Sequence, residues 1–166
     1  MTMDNIIEFV AGLGDVLVMR PQPGDGSPEI AWGDTFFYYT ADGATPSAAQ
    51  PFATIVTKNY PDDTASRLDR PGTFRVNIAA GTTEFARRTG RTPREAAHAD
   101  IDHARDDTVL PHPTYASAGW LAVVNPGLES EAATRDLLRI AHDRARHRAA
   151  RGSASGNSQP IRRGDL

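Results

Sequence analysis

The order helix, strands, helix predicts an α+β two-layer sandwich: an antiparallel sheet with the N- and C-terminal helices on one face. Three observations lead there. Phe74, Val76 and Ile78 alternate with Arg75 and Asn77, the period of a strand whose two faces differ. From Glu131 to about Arg151 runs the longest helical pattern, with Ala133, Leu137, Leu138, Ile140, Ala141 and Ala145 in one stripe and arginines opposite. At the other end, Ile6, Ile7, Val10 and Leu13 share a helical spacing. With both helices on one face, the other sheet face is expected to lie open.

The elements follow in order. Asp4 to Leu13 reads as a short helix, with Thr2 or Asp4 as cap and Gly12 and Gly14 as its stop. Val16 to Met19 is a short apolar strand. Pro21, Pro23, Gly24, Gly26 and Pro28 then force a loop. Ala31 to Thr40, with four consecutive aromatics, reads as a strand. After an Asp42-Gly43 turn, Phe52 to Asn59 is β-branched and makes the next strand, ended by Pro61-Asp62-Asp63. Phe74 to Ile78 is a further strand. Thr82 to Thr89 reads as a helix capped by Thr82 or Thr83. The polar stretch 90–111 reads as an irregular loop or a short helix at 94–98. Trp120 to Asn125 is the last strand, turned by Pro126-Gly127.

One domain is expected over residues 1–151, and a disordered tail over 152–166, which holds three glycines, a proline and only Ile161 and Leu166 as aliphatics. No apolar run nears the length of a membrane span, and Met1-Thr2-Met3-Asp4 has no signal-peptide pattern, so a cytoplasmic protein is expected. The chain has no cysteine, which excludes disulfides, thiol nucleophiles and thiolate metal sites. Residues 1–134 carry 10 basic and 18 acidic side chains, and residues 135–166 carry 8 and 3. Such a basic end can signal nucleic acid, or be the solvated face of a helix and its tail.

The stretches Gly26–Tyr39 (with Trp32-Gly33-Asp34-Thr35-Phe36-Phe37-Tyr38-Tyr39), Phe52–Lys58, Ser66–Ile78 and His112–Pro126 resemble a family of uncharacterised bacterial proteins. That resemblance covers roughly residues 3–150. A weaker resemblance is to the MmcQ/YjbR-like proteins, which have a frataxin-like fold. Its shared points are the opening helix, a central hairpin, His112 followed by Trp120 opening a strand, and a closing helix. The chain departs from these proteins in its 79–111 segment and its acidic main body. The weaker resemblance implies a frataxin-like sandwich and a DNA-binding label, with one branch tied to antibiotic resistance.

Catalytic signatures are absent from the sequence. His98 and His103, like His142 and His147, stand five apart, about 140° round a helix, where a helical metal pair needs a spacing near four. No metal and no cofactor is expected. There is no Gly-x-Ser-x-Gly elbow, and Gly24-Asp25-Gly26 lacks the rest of a phosphate loop. Arg163-Gly164-Asp165 is a chance tripeptide.

The open sheet face is the informative constellation. Two-residue periodicity places Trp32, Asp34, Phe36 and Tyr38 on one strand face. It pairs Thr54 with Val56 and Lys58, Arg75 with Asn77, and Trp120 with Ala122 and Val124. Polar groups among aromatics describe a small-molecule site, although Trp32 and Trp120 also read as core and Lys58 and Arg75 as solvent-facing charges. Arg67, Asp69 and Arg70 form a loop cluster that suits an anion or pins the loop internally. His112 is either a proton carrier or a loop hydrogen-bonding residue. The expected ligand-binding set is Trp32, Asp34, Tyr38, Lys58, Arg70, Arg75, Asn77, His112 and Trp120. The leading expectation is a non-catalytic small-molecule-binding or accessory protein, in specialised metabolism or self-resistance. The first alternative is an enzyme using Asp34, Lys58 and His112; the second is weak, non-specific DNA binding.

Overall fold

The computed structural model describes residues 1–44 and 49–156. It is an α+β sandwich built on six antiparallel strands: β1 Val16–Met19, β2 Thr35–Tyr39, β3 Ala53–Val56, β4 Arg75–Ile78, β5 Val109–Pro111 and β6 Leu121–Val124. Their order across the sheet is β1-β2-β3-β4-β6-β5. Among the described residues, four α-helices accompany them, α1 Met3–Ala11, α2 Thr82–Thr89, α3 Pro93–Ala96 and α4 Glu131–Gly156, with two short 3-10 turns at Glu29–Ala31 and Ala116–Ala118.

The core is the helix-facing side of the sheet. Phe37, Ala53, Ile55, Val76, Ile78 and Leu121 pack with Ile6 and Val10 of α1 and with Leu137, Leu138 and Ala141 of α4. The two helices therefore share a face, as the periodicity of their apolar residues requires. Thr2 caps α1 through a reciprocal capping box with Asn5. His142 on α4 is buried, bonds the Gly14 carbonyl at 2.8 Å and stands edge-on to Tyr39 and Phe52.

Several sequence expectations are corrected here. The second sheet face is not open along its whole width. Residues 57–73 fold over it, setting Leu68 against Val56 and Val124 and placing Asp63 and Ser66 on Arg75. The reason is electrostatic: the guanidinium at the start of β4 cannot be covered unless partners come with the cover. The stretch 90–111 also contains strand β5, whose three residues end in proline. An edge strand tolerates proline because one side of it needs no ladder donor. Thr82 and Thr83 do not cap α2. Its cap position is Gly81 at φ +84°, and no side chain bonds there. Finally, α4 runs on through Gly156, so residues 152–156 are helical. Residues 157–166, the rest of the expected tail, lie outside the described residues.

Asp107 supplies a long-range stop before α4. At φ +52° it turns its carboxylate onto the amides of Gly127, Glu129 and Ser130 and the Ser130 hydroxyl. The Ser130 hydroxyl bond is the largest cause of a pKa lowered to about 2; desolvation opposes it, and the three amide bonds together add to the lowering.

Candidate functional site

The register aligns residues of one sheet face across β2, β3, β4 and β6. Phe36 stands opposite Thr54, Thr54 opposite Asn77, and Asn77 opposite Ala122. Two polar clusters grow on it.

The first is centred on Asp34, which is 1% exposed. One carboxylate oxygen accepts from the Thr57 amide at 2.8 Å, the Thr57 hydroxyl at 2.9 Å and Lys58 Nζ at 3.0 Å. The other accepts from the Tyr60 hydroxyl. Lys58 Nζ also donates to the Trp32 carbonyl at 2.7 Å. Burial, followed by the hydrogen bond to Asp34 and its negative charge, raises the Tyr60 phenol well above its ordinary pKa. With four donors on it, the Asp34 carboxylate is committed to holding β2 against the chain after β3.

The second cluster is centred on Arg75, 2% exposed. Its Nε donates to Asn77 at 2.7 Å, and Asn77 passes the chain on to the Thr54 hydroxyl at 2.9 Å. Nη1 reaches Asp63 at 3.0 Å and Ser66 at 2.8 Å, and Nη2 reaches the other Asp63 oxygen at 2.5 Å. This is the bidentate fork that suits a carboxylate. Burial pushes the Asp63 carboxyl up, but the bonds and charge of Arg75 outweigh it and hold the pKa below the ordinary carboxylate value.

His112 closes this cluster. Its Nδ1 accepts from the amides of Thr114 and Tyr115, both at 3.0 Å. A neutral ring accepting at Nδ1 carries its proton on Nε2. That nitrogen lies 3.3 Å from Arg75 Nη2, so two donors face each other. Burial first, and then the neighbouring Arg75 charge, lower its pKa to about 3, which keeps the ring neutral. His103 is lowered in the same way, chiefly by burial, and its Nδ1 is buried without a partner.

The expected site residues therefore divide. Asp34, Lys58 and the Trp32 carbonyl meet; Arg75, Asn77 and His112 meet. The acid–base trio of Asp34, Lys58 and His112 is split between the two clusters. Arg70 goes elsewhere, to the Ala104 carbonyl at 3.2 Å and Asp106 at 3.3 Å, pinning one loop to another. Tyr38 is half-buried on the same face.

Trp120 leads out of the interior. It stands edge-on to His112 at 6.3 Å, with Tyr115 beside both rings. It also walls a cleft of about 240 Å³ at the end of the sheet, shared with Gln50, Pro51, Gly81, Arg144 and Arg148. A second hollow of about 340 Å³ adjoins it through Gln50 and Arg148, alongside Tyr39, Ala145 and Ala149. Sequence periodicity missed this cleft. Its walls come from the lead into β3, the turn after β4, the turn before β6 and the far half of α4, which only the fold brings together. The arginines of α4 were visible only as a charge excess on the face opposite the apolar stripe.

A family model matches residues 1–154, almost all of the described chain. The chain belongs to a family of unknown function, DUF6194. It has no match among curated proteins or among solved structures. The resemblance to MmcQ/YjbR-like proteins is thus unsupported, and the 79–111 segment absent from that resemblance supplies α2, α3 and β5. For the DUF6194 chain the sandwich is the fold, and its charged interior is mostly satisfied internally. No described helix is long and apolar enough to cross a membrane.

Proposed function

We propose that this DUF6194 protein is a non-catalytic small-molecule-binding domain, with its ligand in the cleft at the end of the sheet. The observation that carries this is the contrast between two sets of polar groups. Asp34, Lys58, Arg75 and Asp63 are spent on one another inside the fold. Gln50, Arg144 and Arg148 line a cleft beside Trp120 instead. A concave site with an aromatic wall and a few convergent polar groups is the ordinary form of a ligand pocket. An accessory or sequestering role in specialised metabolism is what a binding-only domain of this kind would serve.

The test is a thermal-shift panel of neutral, cationic and anionic aromatic metabolites on the full chain. Ligands that bind the native state raise its melting temperature. A rise with one or more classes is expected, and it should be lost when Trp120 is replaced by Leu. A panel in which no compound moves the melting temperature would contradict the proposal.

A further inference from the structure

We infer that the cleft selects an anion: an organic carboxylate or phosphate monoester gripped between Arg144 and Arg148, its organic part against Trp120 and Pro51. This rests on the small-molecule reading above and names the ligand class.

Arg144 and Arg148 stand one helical turn apart on α4, and both line the cleft. Neighbouring arginines on that helix have carboxylate partners: Arg135 pairs with Glu131, Arg139 with Asp136, and Arg146 with Asp143. Among the described residues, neither Arg144 nor Arg148 is in an ion pair or a side-chain hydrogen bond. Like charges at this spacing repel and destabilise a helix. Both are exposed on α4, and partial desolvation first, then the charges of Arg144 and Arg151, lower the Arg148 pKa. Two uncompensated guanidiniums around one concavity present a fork of donors that fits a carboxylate or phosphate.

The opposite wall adds to this field. The Arg144 guanidinium lies over Gly81, in the space that a Cβ there would need. Gly81 is the cap position of α2, and no side chain makes a capping hydrogen bond there. The positive end of the helix dipole thus points toward the same cleft as the arginines. Trp120 and Pro51 supply apolar surface, so the ligand is an anion attached to a flat organic body rather than a bare ion.

The experiment is calorimetric titration of the full chain with phenyl phosphate, benzoate, the neutral analogue benzamide and a short DNA duplex. It is run on the native protein and on Arg144→Gln, Arg148→Gln and Arg146→Gln. Phenyl phosphate or benzoate should bind, benzamide should bind at least about tenfold more weakly, and added salt should weaken the anions. Arg144→Gln and Arg148→Gln should each cost about tenfold or more, and Arg146→Gln should cost nothing. The unliganded melting temperature of each variant, expected unchanged or raised, separates lost binding from lost folding. Equal binding of benzamide, unaffected affinity in both cleft variants, or tighter binding of the duplex overturns the anion assignment. In the first two cases small-molecule binding survives; if none of the four probes binds, the anion assignment fails, and the wider panel decides the binding reading separately.

Discussion

Tyr60 and Asp63 exchange two backbone hydrogen bonds, at 3.2 and 3.0 Å, and send their side chains to opposite buried charges. The Tyr60 hydroxyl donates to Asp34, and the Asp63 carboxylate receives Arg75. One four-residue turn, Tyr60-Pro61-Asp62-Asp63, thereby fastens both polar clusters and fixes the start of the segment that covers the sheet.

Tyr60→Phe removes one donor from a buried carboxylate without changing the ring's shape. The expected loss is about 1–3 kcal/mol of unfolding free energy, the cost of stranding a buried charged acceptor. Urea denaturation measures it. A loss near zero would mean that water replaces the hydroxyl and that Tyr60 is not a fastener.

Arg75→Met leaves Asp63 without its counter-charge and breaks the Asn77 and Ser66 bonds. Removing one partner of a buried ion pair costs about 3–5 kcal/mol. Arg75→Met together with Asp63→Leu should recover much of that loss, because no charge is then left unpaired. A double variant as unstable as the single one would contradict the pairing.

The pH dependence follows from depressed groups, chiefly His112 and Asp63, with His103 and Asp107 acting in the same direction. His112 titrates near 3 in the fold against an ordinary 6.5, so the unfolded chain takes up this proton first as pH falls. Its contribution is complete above 6.5 and is lost progressively down to about 3. Asp63, also lowered, contributes above its ordinary 3.8 and loses that contribution as pH falls through its folded value. The melting temperature should begin to drop below about pH 6.5, and His112→Gln should flatten the slope between 6.5 and 4. A native chain with a flat profile over that range would contradict the neutral, donor-facing His112.

Gly119 and Gly72 both have positive φ, at 78° and 68°. A Cβ at Gly119 would stand 2.9 Å from the Gly81 backbone, whereas a Cβ at Gly72 meets nothing. Gly72→Ala should cost about 1 kcal/mol from backbone strain alone. Gly119→Ala should cost clearly more, since the turn before β6 must move away from the amino end of α2. Equal costs in chemical denaturation would mean that the two turns are not in contact.

The fold was legible because its signals are local and repeated. Alternation at Phe74–Ile78 and the stripe on α4 each repeat a core-facing position several times, and both survive a boundary error of a residue or two. The clusters were half legible. Periodicity placed Asp34 with Trp32, Lys58 with Thr54 and Arg75 with Asn77, since residues two apart share a face; joining Asp34 to Lys58 needed the polar faces of two strands to coincide. It could not place Tyr60, Asp63 or Ser66, because loop residues have no period. Nor could it find the Gly81–Arg144 approach, which joins positions far apart in the chain through the packing of α4. Strand β5 escaped for a third reason: its three residues, Val109, Leu110 and Pro111, are too few to show alternation.

The chain has two tryptophans, Trp32 and Trp120, so its amide NMR spectrum carries two indole signals. Trp120 walls the cleft, whereas the Trp32 indole nitrogen is buried in the interior. Titration with phenyl phosphate should shift the Trp120 indole together with the amides of Gly81 and Thr82, and leave the Trp32 indole in place. No shift at Trp120, or shifts confined to Trp32 and its neighbours, would contradict a binding site in this cleft.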